Sequence, residues 1–335
     1  MDANPQNEAR PVDVVEHGTW QLTAADEELH AAGPERLWNE SYYFDFAAAD
    51  GSVGGYVRLG LYPNWERAWY WACVVRPGRP TVLLADNALP LPVDGTSLRT
   101  SALRATQHIR EPLRSASVQL EGAGAVLAEP GLAYEELAAA ESIPIGLDLA
   151  WTTIGGVYPY KDLPRYEIPC QVTGVVRVGA EELAISGWGE RDHSWGERDW
   201  WQISWLWSSG RLSDGTAFHG MQANIGFPIP WPAFAVTPAG RLGHLSGFAA
   251  ETVFGADGFP VQSRLRLGGA PMTAVPLAFA PVAMTSPDGR ISHFPRALCR
   301  YTADDGRTGY GWTEWNQPPD WRDHGWSYLA DPEAG

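Results

Sequence analysis

The stretch GWGERDHSWGERDWWQISWLW, from Gly187 to Trp207, contains one phrase twice, at Trp188–Asp192 and again at Trp195–Asp199. A seven-residue shift suits one face of a helix, but the glycines at 189 and 196 and the crowd of bulky rings oppose a helix here. We read two strands meeting at a bulge or tight turn near Ser194 to Glu197, because an odd shift along one unbroken strand sends the two copies to opposite faces. Before the turn, Trp188, Glu190 and Asp192 share one side, and Arg191, His193 and Trp195 share the other. After it, Trp201, Ile203, Trp205 and Trp207 form a single apolar side. Indoles beside acids and arginines describe neither a dry core nor a solvated face, so the segment is expected where charge meets a concave apolar surface.

The rest of the chain extends that reading. Across 335 residues, 36 Gly and 27 Pro interrupt long helices, and only Thr23–Ala32 and Tyr134–Glu141 carry a helical pattern. Segments such as Glu40–Phe46, Tyr56–Tyr62, Trp69–Val75, Ile168–Val178 and Phe218–Ile225 alternate or run apolar between glycine-bearing turns. About twenty candidate strands are too many for one small barrel and suit an all-β pair of packed barrels or sandwiches with few short helices. The proline-rich Phe227–Pro232 cannot sit inside a central strand and is the expected linker. It divides a domain at 38–226, preceded by an N-terminal extension at 1–37, from a second at 227–335.

Charge and motifs exclude several functions. With 24 Lys+Arg against 40 Asp+Glu the formal charge is −16, which repels nucleic-acid backbones and anionic lipid surfaces, so no nucleic-acid partner is expected. No eighteen-residue apolar run and no basic, then apolar, start is present, which predicts a cytoplasmic protein without stable membrane insertion. Cys73, Cys170 and Cys299 are odd in number and far apart, and read as core residues rather than a disulfide framework or a zinc site. No phosphate-binding glycine loop or serine-nucleophile elbow occurs. The histidines lack metal-ligand spacing, so a metal site would require His193, His219, His244 or His293 to converge from separate strands. No cofactor and no metal are expected.

Parity finds further acids among rings. Tyr310, Trp312 and Glu314 point one way near the C-terminus. In the first half Tyr56, Arg58 and Tyr62 share one side of a strand, while Glu40, Tyr42, Phe44 and Phe46 share one side of another. A cavity walled by rings with a few charges is the default small-ligand site. The candidate proton donors and carriers are Asp192, His193, Glu190 and Glu314. The candidate substrate-binding residues are Trp188, Trp195, Trp201, Trp205, Trp312, Tyr310, Tyr56 and Arg58. A structural reading stands beside each: the indoles as packing between sheets, Arg191–Asp192 and Arg198–Asp199 as ion pairs pinning a turn, and Glu314 facing Arg58 or Arg300.

The pattern Gly187-x4-Asp192-His193-x-Trp195-Gly196, followed by Asp199-Trp-Trp-Gln-Ile and then Asp214-Gly215, resembles the signature of the AttH-like, lipocalin-like superfamily. That group includes carotenoid hydratases and is distantly similar to tocopherol cyclases and fungal Diels-Alderases. Arg165-Tyr-Glu-x-Pro-Cys170 resembles the strand preceding the signature, and Asn39–Phe46 a segment near the start, so the likeness runs from about Trp38 to Gln317. The resemblance implies two lipocalin-like β-barrels with a ligand cavity in or between them, and cofactor-free chemistry on hydrophobic, often isoprenoid or polyene, substrates. It also implies that Asp192 donates a proton to an alkene, with His193 tuning or relaying it. The Glu190-Arg191 prefix and the doubled phrase depart from the carotenoid hydratases.

Protonating an alkene needs a carboxylic acid kept neutral by desolvation and a dry aromatic pocket that stabilises the carbocation. Arg191 and a charged His193 would hold Asp192 ionised unless parity turns them away, in which case Glu190 or Glu314 substitutes. The leading expectation is an acid-assisted hydratase, cyclase or isomerase of a terpenoid-like alkene, with a small hydrophobic molecule as its partner. A non-catalytic carrier of hydrophobic ligands and a carbohydrate-binding or carbohydrate-hydrolysing protein are the alternatives.

Overall fold

The computed structural model describes residues 21–326, apart from 136 and 162 and the side chains of 230 and 232. Most of the N-terminal extension expected at 1–37, and the last residues of the chain, lie outside the described residues. Chain order gives β1 (Trp38–Ala48), β2 (Gly54–Tyr62), β3 (Arg67–Val75), β4 (Thr81–Leu89), β5 (Ser97–Arg99), β6 (Arg104–Glu111), β7 (Ser115–Leu127), β8 (Ser142–Thr153), β9 (Tyr158–Pro159), β10 (Arg165–Val178) and β11 (Glu181–Glu197). These form one sheet. The second half supplies β12 (Ser204–Leu212), β13 (Ala217–Asn224), β14 (Pro228–Val236), β15 (Leu242–Leu245), β16 (Phe248–Phe254), β17 (Pro260–Leu267), β18 (Ala270–Phe279), β19 (Val282–Thr285), β20 (Ile291–Phe294), β21 (Arg296–Ala303) and β22 (Thr308–Asn316).

The architecture is all-β and antiparallel. The first sheet runs β4-β3-β2-β1-β11-β10-β8-β7 and closes on itself where Thr81, Val82 and Leu83 of β4 pair with Leu127, Val126 and Ala125 of β7. The second runs β15-β14-β13-β12-β22-β21-β18-β17-β16. Its ends approach without a backbone ladder, and the Gln222 side chain spans the gap by accepting the Ala250 N–H at 2.9 Å. A separate β19–β20 hairpin completes the strands.

Burial explains why the two sheets stay together. Every residue of β1 and β2 is buried, whereas a strand with one wet face alternates. The inner set (Tyr42, Phe44 and Phe46 of β1; Val57, Leu59 and Leu61 of β2) fills the first barrel. The outer set (Tyr43, Tyr56, Trp69, Trp71) packs against Trp207, Phe234 and Trp312 of the second sheet. A third cluster around Leu206, Phe218, Leu265 and Trp315 fills the second sheet's own concavity. The molecule therefore has two cores and an aromatic seam between them.

Four local expectations are corrected. First, β11 is one strand through Glu197, so the turn after the doubled phrase falls at 198–203 rather than at Ser194–Glu197. Second, the chain crosses between sheets at that turn, while Phe227–Pro232 is no linker. Pro228 opens β14, whose 228–232 half pairs with β13 alone, since β15 joins only from Ala233 onward. Proline is tolerated on that unpaired edge because no N–H is required there. Third, Thr23–Ala32 forms only a 3-10 turn at Ala24–Glu27, and Tyr134–Glu141 is reduced to 3-10 turns flanking it and within it; no described residue is α-helical. Fourth, Trp201 sits in the turn and not on the apolar side that Trp205 and Trp207 share. No helix among the described residues is long and apolar enough to cross a membrane.

Candidate active site between the two sheets

Register alone assembles most of the site. Trp71 of β3 pairs with Arg58 of β2, Arg58 with Tyr43 of β1, Tyr43 with Asp192 of β11, and Asp192 with Glu167 of β10. One cross-strand row thus puts a cation, a phenol and two acids on the barrel's outer face. Opposite, β13, β12, β22 and β21 align Met221, Trp207, Glu314 and Arg296. Between the two rows lies a cavity of about 190 Å³, which Arg58, Tyr43, Asp192, Trp207, Glu314 and Arg296 all line. Trp200, Ile203, Trp205 and Phe294 complete its apolar wall.

The β11 strand sorts its charges by parity. Arg191 points into the first barrel, where both guanidinium ends meet Glu27 at 2.6 and 2.9 Å. His193 also points inward: its Nε2 lies 2.6 Å from Glu40, and its ring stacks on Tyr42 at 4.1 Å. Neither reaches the cavity. Asp192 is thereby freed from both, but Arg165 takes their place, holding Asp192 at 2.9 Å and Glu167 at 2.6 Å.

Acids outnumber cations around Asp192. Burial pushes its carboxyl up to about 7, with Arg165 opposing and Glu167 and Glu314 assisting. Burial likewise raises Glu167 to about 7 and Asp45 to about 8, and carries Glu190 well above the usual carboxylate range. His219, buried in the same place and stacked on Phe234 at 5.0 Å, is pushed down to about 4 by desolvation and stays neutral. The cluster is thus a reservoir of carboxyl protons at neutral pH. Across the cavity Glu314 meets Arg296 at 2.7 Å and accepts the Trp205 indole N–H at 3.2 Å. Arg296 lies over the Tyr56 ring at 4.0 Å.

The expected residues fall into four places. Asp192, Glu314, Arg58 and Trp205 line the main cavity. Glu190, Trp188 and Tyr310 line a smaller one of about 20 Å³ further along the seam, where Arg211 covers Trp188 at 3.9 Å. Tyr56, Trp312 and Trp201 are seam packing, donating to the backbone oxygens of Ala280, Phe46 and Met284. Trp195 stacks on His30 at 3.7 Å. Sequence reasoning missed Arg165, Glu167 and Arg296 as site residues and named His219 only as a possible metal ligand. The first two stand two apart in β10, and the parity test applied elsewhere would have put them on one face; nothing in the sequence marks Arg296. Glu167, Glu190 and His219, and separately His30, Glu40 and His193, bring three ligand-capable atoms within 4.8 Å of one another. In the first group Arg165 already occupies Glu167.

A family model described as Domain of unknown function (DUF7064) matches residues 23–319. No curated protein matches the chain by sequence. Among solved structures, the chain is similar to an AttH-type protein of Nitrosomonas europaea, at 16% identity over 91% of this chain and 99% of that one, with a TM-score of 0.57. It is similar to kievitone hydratase from Nectria haematococca at 10% identity, over 92% and 98% of the two chains, with a TM-score of 0.55. For CghA the values are 11%, 84%, 89% and 0.53, and CghA is also known with Sch210972 bound. At such identities the likeness establishes a shared fold.

Proposed function

The chain belongs to the family described as Domain of unknown function DUF7064, and we propose that it is an acid-assisted hydratase or cyclase acting on a hydrophobic alkene in the cavity between its sheets. The observation that carries this reading is Asp192, a cavity-lining carboxyl whose burial keeps its proton to about pH 7. A pKa near the working pH is what general acid catalysis favours. The rest of the wall is built for the cation that follows: the Trp205 and Trp207 rings line the cavity with Tyr43 and Phe294, and ring faces attract positive charge in a desolvated site. Kinship in fold with a protein named as a hydratase agrees with this chemistry.

The step balances simply. The Asp192 O–H proton passes to one alkene carbon, leaving the other positive. Water then adds its oxygen there and returns a proton to the carboxylate, so the sum is alkene plus water to alcohol. In the cyclising variant a second alkene captures the cation, and a proton lost from carbon restores the acid. Arg165 positions the carboxyl, and burial, assisted by Glu167 and Glu314, keeps it protonated.

The test is turnover of a panel of polyenes and prenylated arenes in D2O, read by mass spectrometry for deuterium fixed on carbon. Asp192→Asn is expected to lose about 10²- to 10⁴-fold of that incorporation while its melting temperature holds. Undiminished incorporation in the folded variant would remove Asp192 from the reaction.

A further inference from the structure

Arg58 differs from two of the other cavity arginines. Arg165 and Arg296 each hold a carboxylate, at 2.6 and 2.7 Å. Arg58 is 3% exposed and pairs with no acid among the described residues; its polar neighbours are the amide oxygen of Asn39, 3.4 Å from Nη2, and the Tyr62 hydroxyl, both neutral. Its Nη1 is buried without a hydrogen-bond partner. The guanidinium is nonetheless fixed, lying between the rings of Trp71 and Trp200 at 4.7 and 4.6 Å. Gly60, one strand-pair further along the same face, leaves it room: a Cβ there would come within 2.3 Å of Nη1.

Such an arrangement is expensive unless something completes it. A buried cation without a counter-ion loses its hydration, and burial alone lowers the Arg58 pKa. Two indole faces return part of the cost, but they leave the edge of the guanidinium, with its N–H donors, unanswered. Arg58 lines the cavity. Asp192, in the same cross-strand row, is engaged by Arg165, and burial raises it to about 7, so it supplies Arg58 with only part of a charge. Arg198, also on the wall, donates to the backbone oxygens of Glu197 and Trp195 at 2.8 Å and likewise holds no carboxylate. A chain of net charge −16 thus keeps two arginines unneutralised by acid in one apolar hollow.

We propose that Arg58 is the anchor for an acidic oxygen of the ligand, so that the substrate is an apolar molecule bearing an enolate, phenolate or carboxylate group rather than a bare hydrocarbon. This rests on the cavity being the substrate site argued above, and it names the class of molecule that enters. A planar guanidinium presents its donors as a fork, which matches a two-oxygen anion. The clamp fixes one end of the ligand beside Trp200, and Asp192, in the same cross-strand row, faces a different part of the skeleton.

The test is equilibrium binding, followed by quenching of indole fluorescence, with 2-naphthoate and its neutral isostere 2-naphthamide as probes. Wild type is expected to bind the carboxylate at least ~10-fold more tightly than the amide, and Arg58→Met to reduce that ratio to about two-fold or less while still binding the amide. Gly60→Ala, which keeps the charge but displaces Nη1, is expected to erode the preference part-way and serves if Arg58→Met does not fold. A wild type without the preference, or an Arg58→Met variant that keeps it, would overturn the assignment. Asp192→Asn should retain the preference, so a failure of the acid mechanism and a failure of the anchor give different results.

Discussion

The two faces of β11 carry the same kinds of residue at the same depth and do opposite things. On the inner face Arg191 and Glu27 form a closed pair. Against the cost of its burial, the guanidinium and the Leu113 N–H hold Glu27 below its ordinary pKa. On the outer face Arg165 holds both Glu167 and Asp192, the histidine beside Glu190 stays neutral, Asp45 has no ion pair among the described residues, and all four acids are raised. Burial is common to both faces, so the number of cations available decides whether a buried acid is a strut or a proton store. The inner face is a finished core, and the outer face is a cavity wall.

The sharpest way to break that contrast is to neutralise one acid from each side. Glu27→Gln strands Arg191 in the barrel and is expected to cost about 3–5 kcal/mol, measurable as a lower urea midpoint at unchanged slope. Asp192→Asn, by contrast, replaces a group already largely protonated and should leave the midpoint close to wild type at pH 6. If both variants lose equally, the outer cluster is as structural as the inner pair.

A smaller effect should appear in the pH dependence of turnover. The acid acts in its protonated form, so the rate is expected to fall as pH rises through about 7, the value burial gives Asp192. Arg165 opposes that rise. Arg165→Met therefore moves the alkaline limb to higher pH, so that at pH 8 the variant keeps about five-fold more of its own low-pH rate than wild type keeps of its own, if the limb shifts by roughly one unit. A limb that moves to lower pH would show that Arg165 raises, rather than lowers, the proton affinity of the acting group.

Much of this contrast was legible in the sequence, and the reasons are local. Strand periodicity assigns Glu190 and Asp192 to one face and Arg191 and His193 to the other without knowledge of the fold, and that assignment holds in the structure. The same parity places Tyr56 with Arg58 and Tyr310 with Glu314. What parity cannot give is which strands become neighbours: Arg165 and Arg296 reach their acids through pairings between β10 and β11 and between β21 and β22. It also cannot tell that both faces of β1 and β2 are buried, and so His193 and Trp195 read as site residues although the inner face of β11 carries them away from the main cavity. Phe227–Pro232 misleads because proline is excluded from a central strand but not from the half of β14 that has a neighbour on one side only.

The gentlest probe is Asp45, a buried acid that lines the smaller cavity. Its Oδ1 accepts the Glu190 N–H at 2.8 Å, its Oδ2 accepts the Tyr43 hydroxyl at 3.2 Å, and burial pushes it up to about 8. Its folded pKa lies above its unfolded value near 3.8, so the folded state holds one more proton between those two pH values. This contribution therefore weakens the fold as pH rises through that window and is constant beyond it. Asparagine keeps the oxygen that receives the Glu190 N–H and has no proton to lose. Asp45→Asn is thus expected to match wild type at pH 4 and to exceed it by about 1 kcal/mol at pH 8, less than the full shift would give because polar groups nearby relax around a charge. Urea unfolding at the two pH values measures the difference. A variant that is weaker than wild type at pH 8 would mean that Asp45 is ionised in the folded protein, and that the outer face holds its charges as the inner one does.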